Sequence, residues 1–332
     1  MPASDRRDLF TEGAGRLGMN PAIVEKDFWV CWILKLLFSV PQLKDQMVFK
    51  GGTSLSKVYG LIDRFSEDID LILDWRLLGY GLYELGGRES PAVSRTRQIR
   101  FNQEMNAKAA RYIRETLLGQ LNQAFAAVPK VAAEIDPNDP HTVTVSYPAA
   151  FSADYIRPQV RLEIGPLASR VPSSSRTIRS YAAEASPRAF IDPICAVVVL
   201  GAERTFWEKA TILHQEAHRS VAIPARYSRH YYDMYKLANS PIKTSALSDL
   251  GLLKDVVQFK ERFYYSSWAR YDLAQPGTFR LVPPPSQTSA LARDYRAMHD
   301  MFYREPPEFG VIMEGLATLE SEINDLESAE SG

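Results

Sequence analysis

A short apolar run, Met47-Val48-Phe49-Lys50, stops at Gly51-Gly52, and a second run, Ile69 to Leu73, opens directly behind Asp68. No other stretch constrains the fold as much. Met47 to Lys50 reads as a strand, ended by glycines that permit backbone conformations closed to other residues. A tight turn is expected there, then a short helix over Thr53 to Leu61, a bridge Arg64-Phe65-Ser66-Glu67, and a second strand from Ile69 to Leu73. Carboxylates two residues apart on a strand point to the same side, so Asp68 and Asp70 can share one or two divalent cations. Mg²⁺ prefers such hard oxygen ligands and leaves positions for phosphates and water. The Gly51-Gly52 turn would bring backbone N–H groups and the Thr53 and Ser54 hydroxyls to a helix start, where a triphosphate can be held. Either half alone is a weak signal, since Asp-x-Asp and Gly-Gly are common in turns and at solvated strand ends. In this order, fourteen positions from Ser54 to Asp68, they predict metal-assisted nucleotidyl transfer.

The chain of 332 residues is long enough to bury one large core or two modest ones. Cys31 and Cys195 each sit in an apolar run without metal-type spacing, which predicts buried thiols in a reducing compartment. The N-terminal residues lack the pattern of a secretory signal, and the longest apolar stretch, Phe28 to Val40, is interrupted by Lys35 and too short to span a bilayer. A cytoplasmic protein without membrane association is expected. With 39 basic and 40 acidic side chains the net charge is -1, so whole-chain electrostatics neither demand nor exclude a nucleic acid. Locally, Arg88, Arg95, Arg97, Arg100, Lys108, Arg111 and Arg114 outnumber Glu89, Glu104 and Glu115. That excess could track a phosphate backbone or be an ordinary solvated helix face.

Along the chain, Asn20-Pro21 marks a helix start, and the later turns of that helix are apolar almost all round, so it should lie in the core. Ser94 to Val128 is helical in pattern, whereas Thr142 to Tyr147 and Tyr155 to Ile164 alternate like strands. Pro172 to Arg176 reads as a loop, Ile194 to Leu200 as a buried strand, and Ala202 to His218 as a helix. Further helices are expected over Arg226 to Ala238, Leu252 to Tyr265, Thr288 to Phe302 and Val311 to Leu326, with Pro283-Pro284-Pro285 in a connector. The expected class is α+β: a core with a small mixed sheet and N-terminal helices over residues 1–190, and a mainly helical region over residues 191–332.

Glycine turn, helix, and strand with paired carboxylates is the pattern of the polymerase-beta-like nucleotidyltransferases. Five ordered segments narrow it: Val24-Glu25-Lys26-Asp27-Phe28-Trp29-Val30, Phe49-Lys50-Gly51-Gly52-Thr53-Ser54-Leu55, Arg64-Phe65-Ser66-Glu67-Asp68-Ile69-Asp70-Leu71, Glu203-Arg204-Thr205-Phe206-Trp207-Glu208-Lys209 and Arg229-His230-Tyr231-Tyr232-Asp233-Met234-Tyr235. Together these closely resemble the AbiEii/AbiGii toxin family, which includes the mycobacterial MenT toxins. The resemblance implies a toxin of a type IV toxin–antitoxin or phage-defence system that transfers nucleotides from an NTP to an RNA acceptor, the tRNA 3′ end. It implies Mg²⁺ or Mn²⁺ as cofactor and a cognate antitoxin, AbiEi-like or of the kinase type, as partner. By motif, Gly51, Gly52, Thr53 and Ser54 would bind the nucleotide, Asp68 and Asp70 the metal, and Lys209 the triphosphate, while Asp233 would complete the catalytic set. Ser66 occupies the position of a serine that kinase-type antitoxins phosphorylate.

Plainer readings stand beside these. Lys209 could be a surface lysine near Glu208 or Gln215, and Asp233 could pair with Arg229 or Lys236 on its own helix. Arg229 could at once orient Asp233 and meet phosphate. Glu163 falls on a strand where this superfamily often supplies a third carboxylate, although alternation would equally make it solvent-facing. His214 and His218 have a zinc-compatible spacing, but Gln215 stands where a metalloprotease needs glutamate, so a polar helix end is expected. Trp207, Tyr231, Tyr232 and Tyr235 recur at helical spacing, as core residues do. Alternative functions are modification of a protein or small-molecule acceptor, or a catalytically silent binding partner.

Overall fold

The computed structural model describes residues 3–66, 68–81, 94–151 and 157–326. Glu67, Arg88, Glu89 and the expected strand start at Tyr155 lie outside them. The chain forms two compact units: one of residues 1–58, 65–87 and 100–200, the other of residues 59–64, 88–99 and 201–332.

The first unit is built on a seven-stranded mixed sheet, the α+β core that the sequence predicts. Helix α1 (Ala3–Leu17) precedes α2 (Pro21–Ser39), whose start is capped by the Asn20 side chain accepting from the Ala22 N–H at 2.9 Å. As expected, α2 is buried through most of its length, but so are three charged residues of its early turns, Glu25, Lys26 and Asp27. Glu25 accepts the backbone N–H groups of Ala150 and Phe151. Strand β1 (Met47–Lys50) runs into α3 (Gly51–Lys57), and β2 (Asp68–Leu73) returns antiparallel to β1 with Lys50 opposite Asp70.

The helical stretch from Arg95 is realised as α4 (Arg95–Tyr112), a π-turn, and α5 (Leu118–Phe125). Four strands follow: β3 (Ala132–Asp136), β4 (Asp139–Ser146), β5 (Gln159–Gly165) and β6 (Ser173–Ile178), then the short α6 (Tyr181–Ala185) and β7 (Cys195–Leu200). The spatial order is β3-β4-β5-β2-β1-β7-β6, with parallel pairing only at β2–β5 and β1–β7. Phe49, Ile69, Leu71, Val143, Leu162 and Val199 are buried and form the sheet's share of the core. Two expectations change. The segment read as a loop, Pro172 to Arg176, enters the edge strand β6, and β3 carries no sequence signal strong enough to have announced it. Both cysteines are free and buried, as expected.

The second unit is helical: α7 (Ala202–Ala217), α8 (Ser228–Ala238), α9 (Pro241–Leu247), α10 (Leu250–Phe263), α11 (Pro285–Ala297) and α12 (Phe309–Asn324). Phe206, Trp207, Tyr231, Tyr232 and Met234 are buried, so these side chains serve packing. Helix α9, which periodicity missed, starts on Ser240-Pro241, with Ser240 capping the Ile242 N–H. Helix α11 begins inside the expected proline connector, since Pro285 takes the first helical turn where its missing N–H costs nothing. His214 is a core residue: its Nε2 donates to the Arg270 carbonyl and its Nδ1 accepts from the Arg280 N–H. Burial pushes its pKa down to about 4, which keeps the imidazole neutral. Among the described residues no helix is long and apolar enough to cross a membrane.

Candidate active site

The first unit carries the glycine turn and the carboxylate pair. Helix α3 starts on Gly51 itself, two residues earlier than expected, with Gly51 at φ +81°. A side chain there would fail for a second reason: its Cβ would lie 1.9 Å from Asp70 Oδ2. Glycine at 51 therefore lets the Asp70 carboxylate close over the start of α3. The first N–H groups of a helix have no partner within it, so those of Gly51 to Ser54 are free of intrahelical bonds. The hydroxyls are not. Thr53 Oγ1 donates to the Asp68 carbonyl at 2.5 Å, and Ser54 Oγ donates to the Gly51 carbonyl at 2.8 Å, with both residues buried. These hydroxyls tie α3 to β2 and close its first turn.

The far end of α3 is anchored as firmly. Lys57 Nζ meets Asp27 Oδ1 at 2.9 Å, both side chains being 4% exposed, and lies 3.6 Å from the centre of the Tyr181 ring. Burial works against the Lys57 charge, and the Asp27 carboxylate outweighs it and raises the ammonium pKa. Asp27 also accepts the Tyr181 N–H at 2.6 Å. An ion pair between α2 and α3 thus anchors the end of the helix that begins at the glycine turn.

On β2, Asp68 and Asp70 are partly exposed while Ile69 between them is buried. The parallel register with β5 sets Arg161 beside Asp68 and Glu163 beside Asp70. Glu163 is exposed, and among the described residues no three His, Cys, Asp or Glu side chains converge on a metal-sized site. The donor set that remains, two hard, partly exposed carboxylates on one strand face, suits Mg²⁺ or Mn²⁺ completed by phosphate oxygens and water. Ser66, half-buried, stands two residues before Asp68, and its carbonyl is 3.4 Å from Thr53 Oγ1.

The second unit carries Lys209 and Asp233, and the structure brings them together. Lys209 Nζ donates to Asp233 Oδ2 at 2.7 Å. Arg64 completes the group, its Nε and Nη2 each 2.7 Å from the two oxygens of Asp233. All three residues are buried, so neither the surface reading of Lys209 nor the same-helix reading of Asp233 holds. Lys236 pairs instead with Asp63 at 2.8 Å. Burial opposes the Asp233 charge, but Arg64 and Lys209 outweigh it and hold its carboxyl well below the usual range. Burial, helped by Arg64 and Arg229, lowers the Lys209 pKa against the pull of Asp233. Two cations share one carboxylate, and Arg229 adds a third positive charge nearby. The sequence reading missed Arg64 as a member of this group. It lies 169 positions from Asp233, and its only signal was its place in the Arg64 to Leu71 segment.

The basic patch divides. Arg95 stacks on the Tyr265 ring at 4.0 Å and Lys108 pairs with Glu104 at 2.9 Å, whereas Arg100, Arg111 and Arg114 are exposed.

A Gly-Gly turn feeding a helix, then a strand with paired carboxylates in a mixed sheet, defines the nucleotidyltransferase class. The sequence model of the family described as "Nucleotidyl transferase AbiEii toxin, Type IV TA system" matches residues 32–319, and the chain belongs to that family. It is a nucleotidyltransferase toxin of a type IV toxin–antitoxin system. Among solved structures it is similar to MenT4, a nucleotidyltransferase toxin from Mycobacterium tuberculosis H37Rv, at 17% identity over 95% of this chain and 99% of that one, with a TM-score of 0.45. No curated protein matches it.

Proposed function

We propose that this toxin transfers a nucleotidyl group from an NTP to the 3′ end of tRNA, using a divalent ion held by Asp68 and Asp70. The observation that carries this reading is the close approach of the Asp70 side chain to Gly51, which puts a carboxylate beside the start of α3. When bound, Mg²⁺ would activate the attacking hydroxyl and offset charge on the leaving pyrophosphate. The backbone of Gly51 to Ser54 cradles phosphate oxygens, with Thr53 and Ser54 holding that backbone in place. Lys209 meets the triphosphate, and Asp233, whose oxygens are already taken, positions Lys209. Arg229 adds positive charge for the same anion. The acceptor 3′ oxygen bonds to the α-phosphorus, the bond to the bridging oxygen of pyrophosphate breaks, and the hydroxyl proton leaves to solvent. Exposed Arg100, Arg111 and Arg114 favour an RNA acceptor over a protein or small molecule. Glu163 serves at most as an outer carboxylate of the site.

The family implies an antitoxin partner. Ser66, on the segment leading into Asp68, is where a kinase-type antitoxin would act: a phosphate there adds close to two negative charges beside the metal carboxylates. Action in the cytoplasm and a role in phage defence follow from the same reading.

The test is incubation with Mn²⁺ or Mg²⁺, each labelled NTP, and either total tRNA or protein acceptors. Wild type should label tRNA, and Asp68→Asn and Asp70→Asn should lower labelling by at least about a hundredfold. Gly51→Ala, which alters no ligand but drives a methyl into Asp70, should fall with them. Labelling of protein in place of tRNA would overturn the acceptor, and full activity in both Asn variants would overturn the site.

A further inference from the structure

Arg161 stands among the carboxylates of the sheet face that bears Asp68 and Asp70. Its Nη1 lies 3.0 Å from Asp136 Oδ2, its Nε 3.5 Å from Asp68 Oδ1, and its Nη2 3.8 Å from Glu163 Oε1. Only the first contact has hydrogen-bond length, so the guanidinium is anchored on Asp136 and leans over Asp68. The anchor is the more buried acid, with 14% of the Asp136 side chain exposed against 31% for Asp68. It is also built for the purpose: the β3–β4 ladder slips between Ile135 and Asp136, a bulge of the kind that re-aims a side chain. Arg161 reaches Asp136 across β4, which lies between β3 and β5.

A fixed positive charge beside a ligand oxygen repels a divalent ion and neutralises the carboxylate when that ion is absent. We infer that Arg161 is a positioning residue that serves as an internal counter-ion for Asp68, holding down the affinity for a free divalent cation so that the metal enters together with the negatively charged triphosphate. The inference rests on the reading of Asp68 and Asp70 as metal ligands. It explains why an arginine occupies a strand position in register with a metal carboxylate, where alternation puts both side chains on one accessible face.

The test is Mn²⁺ binding to the full-length protein, read from the free-ion EPR signal, without nucleotide and again with a non-hydrolysable NTP analogue. Arg161→Gln should tighten Mn²⁺ binding roughly five- to tenfold without nucleotide, and the gain should shrink when the analogue supplies the negative charge. Arg161→Lys keeps the charge and should stay near wild type. Asp136→Asn releases the guanidinium toward Asp68 and should weaken binding roughly two- to threefold. A purely structural arginine predicts the opposite pattern, with both Arg161→Gln and Asp136→Asn loosening the same strands and weakening binding alike. Unchanged or weaker binding in an Arg161→Gln protein with native circular dichroism overturns the inference. Asp68→Asn separates the two levels of the argument: Mn²⁺ binding insensitive to that change removes the metal-site reading and the inference with it, whereas binding lost in Asp68→Asn but unmoved in Arg161→Gln removes the inference alone.

Discussion

Asp233 compensates two buried cations unequally, and the inequality decides what each substitution should do. Arg64 makes two parallel hydrogen bonds to it and Lys209 one, so the Arg64–Asp233 pair is the structural half and Lys209 the less compensated partner. Asp233→Asn leaves two buried positive charges facing a neutral amide and should cost about 3–5 kcal/mol of stability. Lys209→Met leaves the bidentate pair intact, so its stability loss should stay below about 2 kcal/mol while the NTP concentration for half-maximal rate rises at least about tenfold. Urea unfolding alongside NTP kinetics checks both, and equal destabilisation by the two changes would show that Lys209 is part of the scaffold only. Lys209 and Asp233 were legible through their motifs, but their partnership was not. Helix-face spacing can nominate only neighbours such as Arg229 and Lys236, whereas Arg64 arrives from another part of the chain and offers a planar fork that a same-helix lysine cannot. Acid lability of the cluster follows the sign of the Asp233 shift: its stabilisation is complete above the ordinary carboxylate range and is lost only as pH falls below it.

The elements that hold the site were read more easily than those that close the sheet. Strand β1 matches its apolar run to the residue, and β7 and α7 nearly so, because each buries a continuous or periodic apolar face. Strand β6 could not be read that way. Its residues Ser173 to Thr177 are all exposed, so it pairs through backbone alone and leaves no hydrophobic pattern. The start of α3 was misplaced for a related reason: Gly51, at φ +81°, is a turn residue in conformation yet opens the range of α3, and its neighbour Asp70, which leaves no space there for a Cβ, is distant in sequence. The role of Thr53 is testable at this scale. As a tie between α3 and β2, Thr53→Val should cost about 1–2 kcal/mol and lower activity, with Thr53→Ser restoring both. A phosphate ligand would behave differently: Thr53→Val would then leave thermal stability unchanged and weaken NTP use alone. Differential scanning calorimetry with NTP kinetics separates the two.

Across the whole molecule the helices α7 and α8 of the second unit should answer acid differently from α2 of the first. His214, His218 and His230 all belong to the second unit, and burial lowers the pKa of each, that of His214 to about 4. A histidine held neutral in the fold binds fewer protons than the same residue unfolded, so its stabilisation is complete above the unfolded value near 6.5 and is lost as pH falls toward the folded one. His214 alone accounts for about 2–4 kcal/mol over that window: a proton on Nδ1 displaces the hydrogen bond from the Arg280 N–H, whereas the bond donated to the Arg270 carbonyl persists and partly offsets the effect of burial. In the first unit, burial raises the pKa of Glu25 in α2. A raised carboxyl holds its proton more readily folded than unfolded, so acidification through that range favours the packing of α2. Hydrogen exchange at about pH 7 and about pH 4.5, corrected for intrinsic rates, should therefore show protection falling in α7 and α8 while α2 and β7 keep theirs. His214→Gln should flatten the response of α7, because glutamine can make one of the two hydrogen bonds and cannot take up a proton. Equal loss of protection in both units would mean that acid acts through the chain as a whole rather than through the buried histidines of one unit.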